Sequence, residues 1–320
     1  PAQAGQEKGL GPLLCPVPTL GTRQDDTDVC GFKMPETRAR QGPAIDDDPF
    51  LALHAPARGS TIGGRRKVQP FGDPMTEIRP GLRGFEQSSA PADVSAYRPK
   101  HLVQDIAALI AVESPHAPLA CLVAHDWGGA VAWNLANQQP QLSRRLAIIN
   151  SPHPGTFLRE LQHNPKQQAA SAYMNFLVRP DAEALLAEND FARMWPFFSK
   201  GRGQAPAWLT EAVRDQYRAV WRAGLTGGCN YYRASPLRPP RPEDPGAAAV
   251  ALPRSMLTID LPTLVVWGMD DVALPPELID GLPDYVPQLE LHRVEGATHW
   301  IVHEQPGRVA GLLEGFLGRQ

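Results

Sequence analysis

Cysteine is scarce in this chain, with only four in 320 residues. Cys15, Cys30, Cys121 and Cys229 are far apart, and no two of them have the spacing of a CxxC motif or of a zinc site. A disulfide framework needs paired cysteines at regular spacings. We therefore predict four reduced thiols.

Long apolar runs and a surplus of one charge are also missing. No uninterrupted apolar run approaches the ~20 residues of a membrane-spanning helix, and no basic start leads into an apolar signal-peptide core. A net charge of −3 lacks the basic surplus of proteins that bind polyanions. These absences predict a cytoplasmic protein with no membrane span and no nucleic-acid partner.

Metal and cofactor motifs are absent as well. The histidines, aspartates and glutamates form no cluster of the HExxH kind, and no strand leads into a GxGxxG loop. We therefore expect no cofactor and no metal ion.

The first part of the chain has little material for a core. Residues 1–50 contain seven prolines and only ten residues from the set Ile, Leu, Val, Met, Phe, Trp and Tyr. They also lack both helical and strand periodicity. We predict that residues 1–50 form an irregular or disordered segment.

From His101 onwards, predicted helices and strands alternate, which is typical of a parallel sheet flanked by helices. The predicted strands are 119–124, 145–149, 263–268 and 289–294, and the predicted helices are 101–112, 127–137 and 306–317. Between them, residues 155–250 show helices such as 181–189 and 209–222 without buried strands. We predict an α/β core over 51–154 and 251–320, with an inserted helical cap over 155–250.

The segment His125-Asp126-Trp127-Gly128-Gly129 follows the apolar strand 119–124 directly. Small residues around a sharp strand-to-helix turn allow a nucleophile to be exposed at the strand end. An aspartate there attacks an sp³ carbon to give an ester that water can cleave, which suits an epoxide or a halide. Asp126 is therefore the candidate nucleophile, and a helix N-cap is the alternative role.

Two later strands also end in polar groups. The strand 263–268 leads to Asp270 and Asp271, and the strand 289–294 leads to His299. The order nucleophile, acid, histidine is that of α/β-hydrolases. We predict that Asp271, in preference to Asp270, orients His299 as the general base.

From about Arg79 to the C-terminus, the chain resembles a bacterial epoxide hydrolase of the α/β-hydrolase superfamily. Six segments carry the resemblance: 82–91 (LRGFEQSSAP), 125–129 (HDWGG), 150–154 (NSPHP), 230–233 (NYYR), 267–271 (WGMDD) and 298–300 (THW). The resemblance implies an α/β-hydrolase fold with a mostly parallel central sheet flanked by helices and an inserted helical cap.

The resemblance also implies roles for individual residues. Tyr173 and Tyr232 match the two cap tyrosines that hold and protonate the epoxide oxygen, and a phenol with a pKa near ~10 can donate a proton at neutral pH. The backbone N–H groups of Trp127 and Ala55 match the oxyanion hole. Trp127 and His153 are predicted to contact substrate, with His125 and His153 expected to be hydrogen-bonded supports rather than further bases.

The N-terminal third departs from the family. His54-Ala55-Pro56 matches the family's HGxP motif only in part, residues 58–73 do not resemble its helix, and Gly81 stands where an aspartate is usual. A gene-model error and a lineage-specific extension are the two explanations of this stretch.

These observations predict an enzyme that hydrates a small-molecule epoxide to a vicinal diol through an ester on Asp126, as a monomer or homodimer. Two alternatives stay open. A haloalkane dehalogenase shares the aspartate and the histidine but stabilises a departing halide with N–H donors, and Tyr173 and Tyr232 favour the epoxide. The other alternative is a catalytically impaired α/β-hydrolase-like protein.

Overall fold

A computed structural model of the chain describes residues 64–68, 75–86, 88–199 and 204–318. The predicted irregular segment 1–50 and the predicted oxyanion residue Ala55 lie outside these ranges.

The described strands belong to two sheets. They are β1 (Gly64–Val68), β2 (Met75–Arg79), β3 (Leu122–His125), β4 (Leu146–Ile149), β5 (Thr263–Gly268) and β6 (Leu289–Val294). β1 and β2 form an antiparallel pair, and the other four form a parallel sheet in the order β3-β4-β5-β6. This sheet confirms the predicted parallel arrangement of its four strands.

Helices flank this sheet and fill the long connection between β4 and β5. In chain order they are α1 (Pro99–Glu113), α2 (Asp126–Gln138), α3 (Pro154–His163), α4 (Pro165–Ala170), α5 (Ala172–Leu177), α6 (Ala182–Phe191), α7 (Pro196–Ser199), α8 (Glu211–Ala223), α9 (Thr226–Ala234), α10 (Ile301–Glu304) and α11 (Pro306–Leu317). Short 3-10 helices lie at Val94–Tyr97, Pro140–Leu142, Pro245–Ala249, Arg254–Met256, Pro276–Ile279 and Leu282–Asp284.

The two inner strands are buried on both faces, as expected for a parallel sheet covered by helices. Successive residues of β4 and β5 belong to two different apolar clusters. Leu146 and Ile148 pack into the cluster that contains residues of α1 and α2, whereas Ala147 and Ile149 pack into the cluster that contains α11. The alternation follows from the two-residue period of a strand.

The predicted bounds of β5, β6 and α11 are confirmed, while those of β3 are shifted. β3 begins at Leu122 because Leu119 makes only an isolated bridge to Ser143, and it continues to His125. His303 and Glu304 lie in the separate helix α10, because the backbone leaves the helical region at Gln305 and α11 begins at Pro306.

The connection between β4 and β5, residues 150–262, contains seven of the described helices, α3 to α9, and we call the part from Pro154 to Ala249 the helical insertion. It contains two buried apolar clusters. One is mostly aromatic and consists of Phe191, Phe198, Leu209, Tyr217 and Trp221, and the other consists of Leu177, Ala182, Leu186 and Cys229. No helix among the described residues is long and apolar enough to cross a membrane. Cys121 and Cys229 are free thiols as predicted, and the other two cysteines lie outside the described residues.

A buried ion pair fixes the loop that follows β2. The Arg83 guanidinium donates to both carboxylate oxygens of Asp105 on α1, at 2.7 and 2.6 Å. The side chains of Arg83 and Asp105 are only 14% and 6% exposed. The pair therefore attaches the loop around Arg83 to α1 away from solvent.

We predict that Asp105→Ala lowers the free energy of unfolding by about 3–5 kcal/mol, because it leaves a buried guanidinium without its partner. The double variant Arg83→Met/Asp105→Leu should recover much of this loss, since no buried charge remains. Asp181→Ala is the control, because Arg179 and Asp181 form the same two-bond pair at 2.7 and 2.6 Å with both side chains 51% exposed. Chemical denaturation should show no resolvable effect of the control, and equal effects of both aspartate variants would contradict the prediction.

Candidate active site

The turn from β3 into α2 holds Asp126 in a strained conformation. Asp126 has a φ of 51°, in the left-handed region that non-glycine residues rarely adopt. It follows the buried end of β3 and is the first residue of α2, so its side chain is presented at the C-terminal edge of the sheet. The backbone N–H of Trp127 lies in the first turn of α2, where amide groups lack acceptors within the helix.

The loop after β4 supports this turn at two points. The Ser151 hydroxyl donates to the backbone carbonyl of Asp126 at 2.6 Å. A Cβ atom on Gly129 would lie 2.2 Å from the Ser151 Cβ, so only glycine fits there. Sequence reasoning assigned no role to either residue.

Asp271, and not its exposed neighbour Asp270, contacts His299. The His299 Nδ1 lies 2.8 Å from the Asp271 Oδ2, and the Asp271 side chain is fully buried. The backbone N–H groups of Ala273 and Leu274 both donate to the Asp271 Oδ1 at 2.9 Å. These bonds hold the carboxylate in one orientation and keep it an acceptor for the imidazole.

Asn150 completes the environment of Asp271, a role that sequence reasoning missed. Its side-chain NH₂ group donates to the Asp271 Oδ2 at 2.9 Å. Its side-chain oxygen Oδ1 accepts from the Gly268 N–H at 2.9 Å. Like Asp126, Asn150 has a positive φ, at 37°. A polar residue directly after a buried strand was the available signal, because such a residue lies at the sheet edge where the other strands also end.

The imidazole of His299 lies between two carboxylates. Its Nε2 is 3.5 Å from the Asp126 Oδ1, opposite the contact to Asp271. Burial lowers the pKa of His299, but the charges and hydrogen bonds of Asp271 and Asp126 outweigh burial and raise this pKa to about 10. This raised pKa favours the imidazolium form of His299 at neutral pH.

His125 supports the loop that carries His299. It is fully buried, and its Nε2 donates to the backbone carbonyl of His299 at 2.9 Å. Burial and the nearby His299 charge lower the pKa of His125 to about 3, so its ring is neutral. Glu304 adds a second support, because it accepts from both the N–H and the hydroxyl of Thr298 at 2.8 Å.

The helical insertion places two phenols opposite Asp126. Tyr173 comes from α5 and Tyr232 from α9, and their ring centroids are 5.9 Å apart. Burial raises the pKa of Tyr173 and of Tyr232 well above the usual value, and the Asp126 charge adds to both shifts. Both phenols therefore keep their protons at neutral pH and can donate them.

Asp126, Trp127, His299 and both phenols line one cavity of about 450 Å³ between the core and the helical insertion. Most of its wall is apolar, with aromatic side chains prominent: Phe85, Trp127, Tyr173, Phe197, Phe198, Tyr217, Trp221, Tyr232 and Trp300. The described residues that line it include no lysine or arginine, and its ionisable groups besides the tyrosines and Cys229 are Glu86, Asp126, Asp271 and His299. Such a site suits a neutral, apolar molecule.

His153 is not among the described residues that line this cavity, in contrast to its predicted contact with substrate. Its ring is buried behind the sheet edge, where its Nε2 donates to the Leu257 carbonyl at 2.8 Å and its Nδ1 accepts from the Gly155 N–H. Burial lowers its pKa to about 4, so the ring is a neutral cap for α3. The sequence pattern of a histidine in a loop after a strand does not show whether its side chain points into the cavity or away from it.

Among the described residues, no group of three or more histidines, cysteines, aspartates or glutamates could hold a metal ion. The arrangement can instead deliver a carboxylate nucleophile, a histidine that exchanges a proton, and two proton donors to one apolar cavity.

The chain is similar in sequence to proteins of one known family. The sequence pattern of the family described as alpha/beta hydrolase fold matches residues 78–306. The AB hydrolase superfamily protein YfhM of Bacillus subtilis (strain 168) is 32% identical over 279 residues, which span 86% of this chain and 92% of that protein.

Solved structures of epoxide hydrolases are also similar. The Bacillus megaterium epoxide hydrolase in complex with an inhibitor superposes with a TM-score of 0.66 at 29% identity, over 76% of this chain and 84% of that one. A structure described as one of the novel epoxide hydrolases in metagenomes from hot environments has a TM-score of 0.67 at 35% identity, over 77% and 82% of the two chains.

We predict that Asp126→Asn lowers the pKa of His299, because one of the two carboxylates that raise it becomes neutral. Asp271→Asn should lower it further, since Asp271 has the larger charge effect. The folded-state pKa exceeds the ordinary value of 6.5, so the charge interaction stabilises the fold below pH 6.5 and is lost as the pH rises through about 10. Nitrogen-15 NMR titration of the imidazole measures the pKa, with exposed Asp270→Asn as the control, and an unchanged pKa in Asp126→Asn would contradict the prediction.

Proposed function

The chain belongs to the alpha/beta hydrolase fold family, and we propose that it is an epoxide hydrolase that converts a neutral epoxide to a vicinal diol through a covalent ester on Asp126. The observation that carries this proposal is that the Asp126 carboxylate shares one apolar cavity with His299 and with two protonated phenols. The similarity to solved epoxide hydrolases supports it.

In the opening step, a carboxylate oxygen of Asp126 attacks one carbon of the epoxide and the C–O bond at that carbon breaks. An alkoxide is a poor leaving group in an apolar site until it receives a proton. Tyr232, with Tyr173 beside it, donates that proton, and the product of this step is a hydroxyalkyl ester of Asp126. The helical insertion acts as a cap that brings both phenols over the nucleophile.

Ester formation prepares the next step by changing the charge of the site. Once Asp126 is esterified, its negative charge is gone, and one cause of the raised pKa of His299 disappears. The imidazolium can then return its proton to the tyrosinate left by the first step and become a neutral base. Asp271 keeps the ring oriented through Nδ1.

In the hydrolytic step, His299 takes a proton from water, and the resulting hydroxide adds to the ester carbonyl carbon. The backbone N–H of Trp127 at the start of α2 holds the oxyanion that forms. Collapse of this intermediate breaks the ester C–O bond, and the leaving alkoxide takes a proton from His299 to give the diol. Asp126 is left as a carboxylic acid, and its proton passes to His299, which restores the carboxylate and the imidazolium. Ala55, the second predicted N–H donor, lies outside the described residues.

One comparison separates this function from its nearest rival. Purified protein is incubated in parallel with an aryl epoxide and with a bromoalkane, and diol and bromide are measured. Diol without bromide supports the epoxide hydrolase. Bromide without diol would replace it with a haloalkane dehalogenase, and neither product would favour a catalytically impaired protein.

We predict that Asp126→Ala abolishes diol formation, because no ester can form, while the protein still folds. His299→Gln should still form the ester but fail to cleave it. Intact-protein mass spectrometry after exposure to the epoxide should show a stable adduct for His299→Gln and none for Asp126→Ala. Sustained turnover by His299→Gln without an adduct would contradict the assigned roles.

We predict that Tyr173→Phe or Tyr232→Phe slows epoxide opening by about 10²-fold or less, because the remaining phenol still donates a proton. The double variant should be nearly inactive. Single-turnover measurements of ester formation test this, with Tyr285→Phe, a tyrosine that stacks on His153 outside the cavity, as the control. Wild-type rates in both single variants would remove the phenols from the mechanism.

A further inference from the structure

One face of helix α9 packs against the loop around Gly84, and Tyr232 lies beside that face. Gly227, Asn230 and Tyr231 are spaced three and four residues apart, so they lie on one face of α9, and all three are buried. Tyr232 is the next residue after this face, about 100° further round the helix axis. The direction in which Tyr232 points is therefore set by how the face with Gly227 and Tyr231 meets the core.

That face meets the core with the two backbones in direct contact. A Cβ atom on Gly227 would lie 2.2 Å from the carbonyl oxygen of Gly84 and 2.6 Å from its Cα. Gly84 has a φ of +84°, and a Cβ there would lie 2.8 Å from both the Gly227 Cα and the Tyr97 ring. The contact is backbone on backbone, so no side-chain rotation could relieve an added methyl group.

Tyr231 adds a directional bond next to this contact. Its hydroxyl donates to the backbone carbonyl of Arg83 at 2.9 Å, and its side chain is only 1% exposed. Arg83 is itself held by the buried ion pair with Asp105. The Tyr231 ring also packs edge-on against Trp127, with centroids 5.2 Å apart. The helix is thus fixed in both distance and rotation relative to the loop around Gly84.

We propose that Gly227 and Tyr231 are positioning residues for epoxide opening: by docking α9 against Arg83 and Gly84, they hold the Tyr232 phenol at the height over Asp126 from which it protonates the substrate oxygen. This proposal rests on the proposed function, because it assigns a task to Tyr232 in that reaction. Neither Gly227 nor Tyr231 is given a chemical role.

The size of the expected effect follows from the distances. Ordinary contact of a Cβ begins at 3.4 Å, whereas Gly227→Ala would place it 2.2 Å from the Gly84 oxygen, so α9 must move away by about 1 Å. A misplacement of this size costs about 10²-fold in rate. Tyr231→Phe removes one hydrogen bond and keeps the ring, so its effect should be smaller, about tenfold or less.

The test separates the two half-reactions in rapid-quench experiments with an aryl epoxide. Gly227→Ala should slow ester formation by about 10²-fold and Tyr231→Phe by about tenfold. Both should leave the rate of ester hydrolysis close to wild type, because Asp126, His299 and Asp271 belong to the core and not to α9. A general loosening of the fold would slow both half-reactions, and that result would overturn the proposal.

Gly228→Ala provides a matched control in the same helix. Its Cβ would lie 3.6 Å from the Phe85 ring, which is ordinary contact, so α9 need not move. Because alanine favours helix more than glycine does, this variant should raise the melting temperature, whereas Gly227→Ala should lower it. If Gly227→Ala does not fold, the half-reaction rates of Tyr231→Phe decide the question.

A second readout needs no turnover. The Trp127 ring contacts Tyr231 and Tyr232 edge-on, with centroids 5.2 and 5.1 Å apart, so its indole NMR resonance reports how α9 lies over the core. This resonance, assigned with Trp127→Phe, should shift in Gly227→Ala and stay near its wild-type position in Gly228→Ala. Equal positions in all three proteins would overturn the positioning claim. If the protein opens no epoxide but Gly227→Ala still shifts this resonance, the proposed function is wrong, whereas the claim that α9 docking positions Tyr232 stands.

Discussion

The left-handed backbone of Asp126 is the constraint on which the site depends. A residue other than glycine in this region costs about 1–3 kcal/mol, and it persists only where its surroundings hold it. Here the neighbouring loop supplies that hold, through the hydroxyl of Ser151 and the close approach that only Gly129 permits. In return, the carboxylate projects from the sheet edge into the cavity, and the start of α2 offers an amide beside it. Relaxing this turn would displace the proposed nucleophile and the proposed oxyanion donor together.

Charge is the second organising element. Two carboxylates and one imidazole lie together in a largely apolar cavity, and the described wall has no lysine or arginine to balance them. The pair of carboxylates makes His299 an imidazolium, which by itself would be a poor base. In the proposed mechanism the reaction resolves this conflict, because esterification of Asp126 removes a charge at the moment when a neutral imidazole is needed.

The proposed chemistry divides along the same line as the architecture. The core carries the nucleophile, the acid and the histidine, which together suffice to form and cleave an ester. The helical insertion carries Tyr173 and Tyr232, which donate the proton when the epoxide ring opens. The two parts therefore have to be held in a fixed relative position, and the backbone contact of Gly227 with Gly84 is one of the points at which they meet.

Many of the helices and strands, and three residues of the candidate site, could be predicted from the sequence because they depend on local patterns. Two-residue and 3.6-residue periodicities predicted β5, β6 and α11, and parallel strands bring their C-terminal ends to one edge, so Asp126, Asp271 and His299 could be predicted to meet. The tertiary structure decided which side chains enter the cavity. His153 and Asn150 both follow β4, yet one caps α3 beneath the edge and the other binds Asp271. On α9, Tyr231 packs against the core, whereas its neighbour Tyr232 lines the cavity. Long-range packing, and not the local sequence, sets the rotation of the helix that decides this.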